Sequence, residues 1–201
     1  MLSAVILAAG SSSRMGTDNK LLLPYKNKPV IAAVVETIIN AGIKDVIVVT
    51  GYEADHIKDA LKNFEVQFIH NQHYPEGMTS SIKQGIIAAK GNGYMICLSD
   101  MVMITAADYK LLGDAFQKRI MFDPQCIIMP RYKNQHGNPI IFSGFYKEMI
   151  LQNQQPEGCK NIVQSNPEHL YMIEMDTPQV LQDFDYPDDY KKLLQNHGLI
   201  F

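Results

Sequence analysis

The chain has 201 residues, of which 46% are hydrophobic and 19% are charged, and this composition is ordinary for a single globular domain. Its formal net charge is −3 with acidic and basic residues interspersed, which argues against general binding to nucleic acid or to an anionic membrane. The first residues lack a basic segment and no stretch reaches the roughly 18 apolar residues that cross a bilayer, so we expect one cytoplasmic domain over residues 1–201.

Apolar runs alternate with helix-like patterns along most of the chain. They predict strands at residues 3–8, 45–50, 66–70, 94–99, 126–130, 139–142 and 170–175. They predict helices at residues 29–41, 53–62, 79–90, 105–119, 143–152 and 188–195, the first of them opened by Pro29 at its first helical position and closed by Gly42. The strand at 45–50 is almost continuously apolar, which indicates that helices cover both faces of the sheet. The sequence therefore predicts an α/β fold with three layers, α/β/α, around a mainly parallel sheet.

The cysteines are odd in number and have no C-x-x-C spacing; they are Cys97, Cys126 and Cys159. This pattern argues against a disulfide framework and against a zinc site. Since Cys97 and Cys126 lie within apolar runs, we expect them to be buried thiols of the core.

A polar segment from Gly10 to Lys20 directly follows the first predicted strand and reads GSSSRMGTDNK. Its small residues allow backbone N–H groups to approach an anion, while Arg14 and Lys20 add positive charge, so the segment is suited to bind phosphate. A Walker A loop requires Lys and then Ser or Thr directly after its last glycine, and a dinucleotide fingerprint requires G-x-G-x-x-G. The spacing of Gly10 and Gly16 fits neither motif. We interpret the segment as a phosphate loop at the edge where open α/β sheets bind ligands.

Asp100 ends a buried strand and is expected at the same edge of the sheet as this loop. Mg²⁺ prefers oxygen ligands and often takes one or two carboxylates together with substrate phosphates, so the sequence indicates a magnesium site. The alternative is that Asp100 caps the helix that follows. In an extended segment Asp183 and Asp185 point the same way, and either can supply a second carboxylate, although such an acidic cluster is also typical of a solvated helix start.

Two further polar segments can contact a substrate. Residues 75–81 run into a predicted helix, and their hydroxyls and free N–H groups can recognise a polar ring or an anion, unless Thr79 or Ser80 simply caps that helix. The segment containing His136, Gly137 and Asn138 can form a loop over an acceptor substrate, although a lone histidine is also compatible with a structural role.

Several characteristic segments follow one another along nearly the whole chain; they are LAAGSSSRMG at 7–16, KLLLP at 20–24, GMTSS at 77–81, CLSDM at 97–101, GNP at 137–139 and DFDYPDD at 183–189. Together they resemble the MobA-like nucleotidyltransferases, above all the molybdenum cofactor cytidylyltransferase branch of the xanthine dehydrogenase accessory type. The resemblance implies a Rossmann-like nucleotidyltransferase fold. It also implies a Mg²⁺-dependent reaction that joins an NTP to a phosphorylated acceptor and releases pyrophosphate.

Carried over position by position, the resemblance implies roles for particular residues. The residues implied for the nucleotide are Ala8, Ala9, Gly10, Ser12, Arg14 and Lys20, with Ser80 and Ser81 near the base. Arg14, Lys20 and Asp100 are implied in catalysis, and Asp100 and Asp185 in binding Mg²⁺. His136, Gly137 and Asn138 are expected near the acceptor. Two positions depart from the family pattern, because Val102 replaces a proline and residues 156–161 replace Gly-Asp-x-Gly-x-Arg in the acceptor region.

The expected substrates are CTP and the terminal phosphate of molybdopterin, with or without molybdenum, and a molybdenum hydroxylase is the expected recipient of the product. ATP and GTP stay open, because base choice depends on backbone contacts. The alternatives are transfer to a sugar phosphate or to methylerythritol phosphate, and a non-catalytic chaperone for the pterin cofactor. A plain dinucleotide-binding domain is disfavoured by the missing glycine fingerprint.

Overall fold

We describe residues 1–16 and 18–196 from a computed structural model. The strands of this part of the chain are β1 (Leu2–Ala8), β2 (Pro24–Tyr25), β3 (Lys28–Pro29), β4 (Asp45–Thr50), β5 (Gln67–His70), β6 (Gly93–Leu98), β7 (Ile127–Tyr132), β8 (Gln135–His136), β9 (Ile140–Ser143) and β10 (Leu170–Glu174). The main sheet has the order β10-β7-β9-β6-β1-β4-β5, and β8 pairs with β7. β9 is antiparallel to β6 and β7, whereas the pairs β1–β4, β1–β6, β4–β5 and β7–β10 are parallel. The predicted mainly parallel sheet is confirmed.

Helices lie on both faces of this sheet. They are α1 (Val30–Asn40), α2 (Ala54–Ala60), α3 (Met78–Ala88), α4 (Ala106–Arg119), α5 (Lys147–Gln152), α6 (Lys160–Gln164) and α7 (Pro187–Asn196). Side chains alternate along β4, so Val46 and Val48 join the core under α1 and α4, while Ile47 and Val49 join the core under α3 and α5. This division into two cores gives the three predicted layers.

The structure differs from the sequence predictions at the start of α1 and at residues 143–152, and several short elements were not predicted. Pro29 pairs with Pro24 in the β2–β3 hairpin, and α1 begins one residue later than predicted. Gly42 closes α1 as expected, in a left-handed conformation with φ of 88°. The predicted helix at 143–152 is a 3₁₀ turn over Gly144–Tyr146 followed by the shorter α5. The hairpin, α6 and β8 were not predicted, because elements of two to five residues are too short to show a period.

The prediction that Cys97 and Cys126 are buried is confirmed. The three cysteines are buried free thiols, and burial raises the pKa of Cys126 to about 11 and that of Cys159 to about 12. Among the described helices, none combines the length and the apolar character needed to cross a membrane.

Gly85 lets α3 approach the sheet closely, so we expect Gly85→Ala to lower the free energy of unfolding by about 2–4 kcal/mol. An added Cβ would lie 2.2 Å from Cγ1 of Val5 and 3.1 Å from Cγ2 of Val49. Gly113 in α4 is the matched control, because among the described residues its Cβ would meet Leu2 alone, at 3.6 Å. Gly113→Ala should stabilise by about 0.5–1 kcal/mol through helix propensity alone. Urea unfolding measures both changes, and equal effects would contradict the close packing at Gly85.

Candidate active site

The first loop and the end of β6 meet at one edge of the sheet. β1 and β6 are parallel neighbours, with Leu7 opposite Leu98, so the residues that follow each strand leave the sheet side by side. The Ser99 hydroxyl donates a 2.6 Å hydrogen bond to the Leu7 carbonyl and ties the two strand ends together. Asp100 therefore faces the loop from Gly10 to Lys20, as the sequence predicted.

A cavity of about 390 Å³ opens at this edge, within the usual size range of small-molecule sites. Its lining combines small residues of the first loop with charged side chains from three distant parts of the chain. The lining residues that were predicted for the site are Ala9, Gly10, Ser12, Arg14, Lys20, Ser81, Asp100 and Asp185. Ala8 is a buried residue of β1 and does not line the cavity.

Lys20 lies at the centre of the charged groups. Its Nζ is 2.5 Å from Oδ2 of Asp100 and 2.7 Å from Oδ1 of Asp185, and it donates a 3.1 Å hydrogen bond to the Phe184 carbonyl. Burial alone would lower the pKa of Lys20, but the contacts with Asp100 and Asp185 outweigh it and raise that pKa. Lys20 is therefore a protonated ammonium group between two carboxylates.

Asp185 reaches the cavity because the chain end packs against the first half of the molecule. Phe184 is buried, and the Tyr190 hydroxyl of α7 donates a 2.6 Å hydrogen bond to the Pro24 carbonyl. The second oxygen of Asp185 accepts a hydrogen bond from Arg14. Burial raises the pKa of Asp185, yet Lys20 and Arg14 overcome that effect and lower it. Asp185 is thus held as a carboxylate between two cations.

Asp183 lines the same cavity but forms no ion pair with any residue that the structure describes. Loss of hydration raises the pKa of Asp183, and repulsion from Asp100 and Asp185 adds to this rise. The two aspartates of the Asp-x-Asp pair are therefore in different electrostatic states, although both carboxylates reach one cavity as the extended pattern predicted.

Asp100 retains an unused ligand atom. Its Oδ1 is buried and has no hydrogen-bond partner within the described residues, while Oδ2 contacts Lys20. Asp100 is not the helix cap, because Thr105 begins α4 with a capping box that includes Asp108. A buried carboxylate oxygen without a partner suits a hard divalent cation. Among the described residues, those of this site included, no group of three or more His, Cys, Asp or Glu side chains is arranged to hold a metal.

The first loop is shaped by its own side chains and by Glu53. Ser12 adopts a left-handed conformation with φ of 50°, and its hydroxyl accepts a 3.3 Å hydrogen bond from the Lys20 N–H. Asn19 is buried, caps the 3₁₀ turn that carries Lys20, and donates a 3.1 Å hydrogen bond to Glu53. These contacts fix the backbone on both sides of Lys20.

The start of α3 forms another wall of the cavity. Gly77 precedes the helix without a side-chain cap, so neither Thr79 nor Ser80 is the N-cap. The amide of Asn71 donates hydrogen bonds of 2.9 Å and 3.0 Å to the hydroxyls of Ser80 and Ser81. Ser81 lines the cavity, whereas Ser80 faces a neighbouring polar depression.

The segment expected near the acceptor does not line this cavity. His136 is exposed in β8, and the Gly137 and Asn138 N–H groups donate to the carbonyls of Pro130 and Val180. However, Ile140 of β9 pairs with Ile96 of β6, and the chain before β9 therefore lies beyond the same end of β6 as Asp100. A role of this segment in acceptor binding stays a prediction.

Comparison with known proteins connects this geometry to a family. The MobA-like NTP transferase domain matches residues 4–170. The chain belongs to the MobA-like NTP transferase family. Molybdenum cofactor cytidylyltransferase from Escherichia coli strain K12 is 27% identical, over 94% of this chain and 93% of that protein. Nicotine blue oxidoreductase from Paenarthrobacter nicotinovorans is 28% identical, over 96% of each chain.

Solved structures show that this MobA-like chain has the Rossmann-like fold that was predicted. Rv0371c from Mycobacterium tuberculosis H37Rv superimposes with a TM-score of 0.83 at 23% identity, covering 96% of this chain and 97% of that one. The complex of Rv0371c with manganese gives a TM-score of 0.71 at 22% identity, covering 96% and 98%. At these identities the likeness establishes the fold alone.

Several residues that shape the site of this MobA-like domain were not predicted from the sequence. Tyr74 lines the cavity, and Asn19, Glu53 and Asn71 hold its loops by hydrogen bonds. Glu53 lay in a predicted helix and gave no separate signal. The Asn19 side chain beside Lys20 is the one detectable signal, because asparagine before a short helical turn is a typical cap.

Proposed function

We propose that this MobA-like protein transfers a nucleotidyl group from an NTP, with CTP favoured, to the phosphate of molybdopterin or molybdenum cofactor and releases pyrophosphate. The observation that carries the proposal is that Arg14, Lys20 and Asp100 meet beside the small residues of the first loop in one cavity. A site with converging cations, backbone N–H groups and an unpaired carboxylate oxygen suits a triphosphate that binds together with a metal ion.

In the proposed reaction, an oxygen of the acceptor phosphate attacks the α-phosphorus of the NTP in line. The bond from that phosphorus to the oxygen bridging to the β-phosphate breaks, and pyrophosphate leaves with the bonding electrons. A side-chain nucleophile is not needed, since positioning and charge neutralisation dominate such reactions. Arg14 and Lys20 would neutralise the phosphate oxygens, and N–H groups around Gly10 and Ser12 would bind the terminal phosphates.

Asp100 and Asp185 are the proposed ligands of Mg²⁺, with Asp183 as the alternative to Asp185. The unpaired Oδ1 of Asp100 supports this assignment, and the manganese complex of a structural relative is consistent with a divalent ion in the family. When bound, such an ion neutralises charge that develops on phosphate oxygens. Ser80 and Ser81 are proposed nearer the base, with Asn71 holding both serine hydroxyls in place.

The acceptor is proposed to lie beyond the end of β6, near His136, Gly137 and Asn138. Their position at the sheet edge of Asp100 supports this placement. The cytidylyltransferase relative at 27% identity supports a pterin acceptor, and we propose a molybdenum hydroxylase as the recipient and the cytoplasm as the location.

A panel of CTP, ATP and GTP against molybdopterin, with pyrophosphate as the readout, tests the proposal. We expect release with molybdopterin and fastest release with CTP. Release with a sugar phosphate or methylerythritol phosphate instead would reassign the acceptor. If no combination of NTP and phosphorylated acceptor gives pyrophosphate, the transferase assignment is wrong and a cofactor chaperone becomes the better description.

Arg14→Lys tests whether the guanidinium contacts the triphosphate, and we expect it to weaken CTP binding about three- to tenfold. Lysine keeps the charge but lacks the planar fork that binds two phosphate oxygens at once. Arg131→Lys is the matched control, because Arg131 also pairs with a carboxylate, Glu174 at 2.6 Å, but lies outside the cavity. Isothermal titration calorimetry measures both variants, and unchanged CTP affinity in Arg14→Lys would exclude a two-point phosphate contact.

A further inference from the structure

The carboxylates proposed to hold the metal ion are already bridged by a cation of the chain. The Lys20 ammonium contacts Asp100 at 2.5 Å and Asp185 at 2.7 Å, and Arg14 contacts the other oxygen of Asp185. Side chains of Lys20 and Asp100 are each only 14% exposed. A cation that enters between these carboxylates must therefore replace Lys20.

We propose that Lys20 is a resident counter-ion of Asp100 and Asp185, so that the site takes a divalent cation together with the nucleotide and resists the free ion. The proposal rests on the proposed function, because it takes the metal ion and the NTP as the ligands of this cavity. It assigns Lys20 two alternating partners, the carboxylates in the free protein and the phosphates in the complex.

The charges of the cavity explain the resistance to free metal. Three carboxylates (Asp100, Asp183 and Asp185) and two cations (Lys20 and Arg14) leave a formal charge of −1. A free divalent ion meets this weak attraction and must also separate Lys20 from two carboxylates. Among the described residues that line the cavity, Oδ1 of Asp100 is buried without a partner and Asp183 forms no ion pair. Two carboxylates do not fill the six positions around a hard divalent ion, so further ligands have to come from the incoming molecule or from water.

A triphosphate makes it easier for Lys20 to leave the two carboxylates. It brings several negative charges to the first loop, which gives the ammonium of Lys20 new oxygen partners when it leaves the carboxylates. The four-carbon stem of lysine allows such a movement without rearranging the backbone, which Ser12 and Asn19 hold by hydrogen bonds. Asp100 and Asp185 are then released for the cation that arrives with the phosphates.

The competing explanation is that Lys20 is a permanent structural ion pair that never exchanges its partners. The two explanations predict different changes in affinity when Lys20 is removed. A permanent structural pair stays on the carboxylates in the complex as well, so its removal should change the affinity for the metal alone and for the metal with CTP in the same direction. A resident counter-ion moves to the phosphates, so its removal should strengthen binding of the metal alone and weaken binding of the metal with CTP.

The test is Lys20→Met, with Mn²⁺ binding measured in the absence of nucleotide by electron paramagnetic resonance of the free ion. We expect the Mn²⁺ affinity to rise about tenfold or more, because an opposing charge a few ångströms away is lost at an intermediate dielectric. Lys28→Met is the matched control, since Lys28 pairs with Glu36 at 2.6 Å outside the cavity. Its Mn²⁺ affinity should equal that of the wild type.

A second measurement uses Mn²⁺ with CTP. Lys20→Met should bind this combination less tightly than the wild type, because the phosphate contact is missing, so one substitution shifts the two affinities in opposite directions. Lys20→Gln should behave like Lys20→Met and replaces it if the methionine variant does not fold, as judged by circular dichroism.

Mn²⁺ binding by a folded Lys20 variant that is equal to or weaker than wild-type binding would overturn the proposal. This failure is distinguishable from failure of the proposed function. Pyrophosphate release by the wild type together with unchanged Mn²⁺ affinity in the variant refutes only the counter-ion. Absence of pyrophosphate release together with the opposite shifts in affinity refutes only the reaction.

Discussion

Asp100→Asn should reduce turnover about a thousandfold or more while leaving the fold intact. The amide keeps the shape of the side chain but removes the negative charge that faces Lys20 at 2.5 Å. With its oxygen on Lys20, the amide places an NH₂ group, which cannot bind a cation, where the buried Oδ1 without a partner lies. Steady-state pyrophosphate release measures the effect, and circular dichroism checks the fold.

Asp114→Asn is the matched control for this substitution. Asp114 forms a 2.8 Å ion pair with Lys110 on the surface of α4 and does not line the cavity. We expect its turnover to be within about twofold of the wild type, since exposed pairs of this kind contribute little. Comparable turnover of Asp100→Asn and Asp114→Asn would remove Asp100 from the catalytic machinery.

Lys20→Met should lower turnover about a hundredfold or more, because a cation that stabilises phosphate charge in the transition state is lost. It should also lower the free energy of unfolding, since two carboxylates that shared one ammonium then repel each other across a partly buried site. Kinetics and thermal melting measure the two effects, and Lys28→Met should leave turnover unchanged. Normal turnover of a folded Lys20→Met protein would contradict the assignment.

The stability lost in Lys20→Met should depend on pH in a defined direction. The pKa of Lys20 is raised on folding, so its contribution is fully present below the ordinary lysine pKa and is lost as pH rises through the raised value. The pKa of Asp185 is lowered, so its contribution is present above the ordinary aspartate pKa and is lost as pH falls through the lowered value. The melting difference between wild type and variant should therefore persist at all pH values between these limits.

The placement of Asp100 beside the first loop could be predicted from the sequence, because neighbouring parallel strands end at one edge of the sheet. The three layers could also be predicted, since β4 is apolar on both faces. The contact between Lys20 and Asp185 could not be predicted. These residues are 165 positions apart and meet because α7 packs onto the hairpin through Tyr190, and a local sequence pattern does not report such a long-range contact.

Short elements were missed for the same physical reason. The hairpin and α6 contain too few residues to form by intrinsic preference, and their surroundings stabilise them. The hydrogen bond from Asn19 to Glu53 likewise depends on how two separate loops pack. The position of the first loop at the sheet edge was therefore predictable, whereas the contact of Lys20 with two carboxylates required the structure.

Transfer of label from CTP carrying ³²P at the α-phosphate is a direct test of nucleotidyl transfer. After incubation with molybdopterin and Mg²⁺, we expect the label to appear in the pterin product in proportion to the pyrophosphate released. Label at the γ-phosphate should not be transferred, because the γ-phosphate leaves with pyrophosphate. Label that stays in CTP, or transfer from the γ-position, would contradict nucleotidyl transfer by this protein.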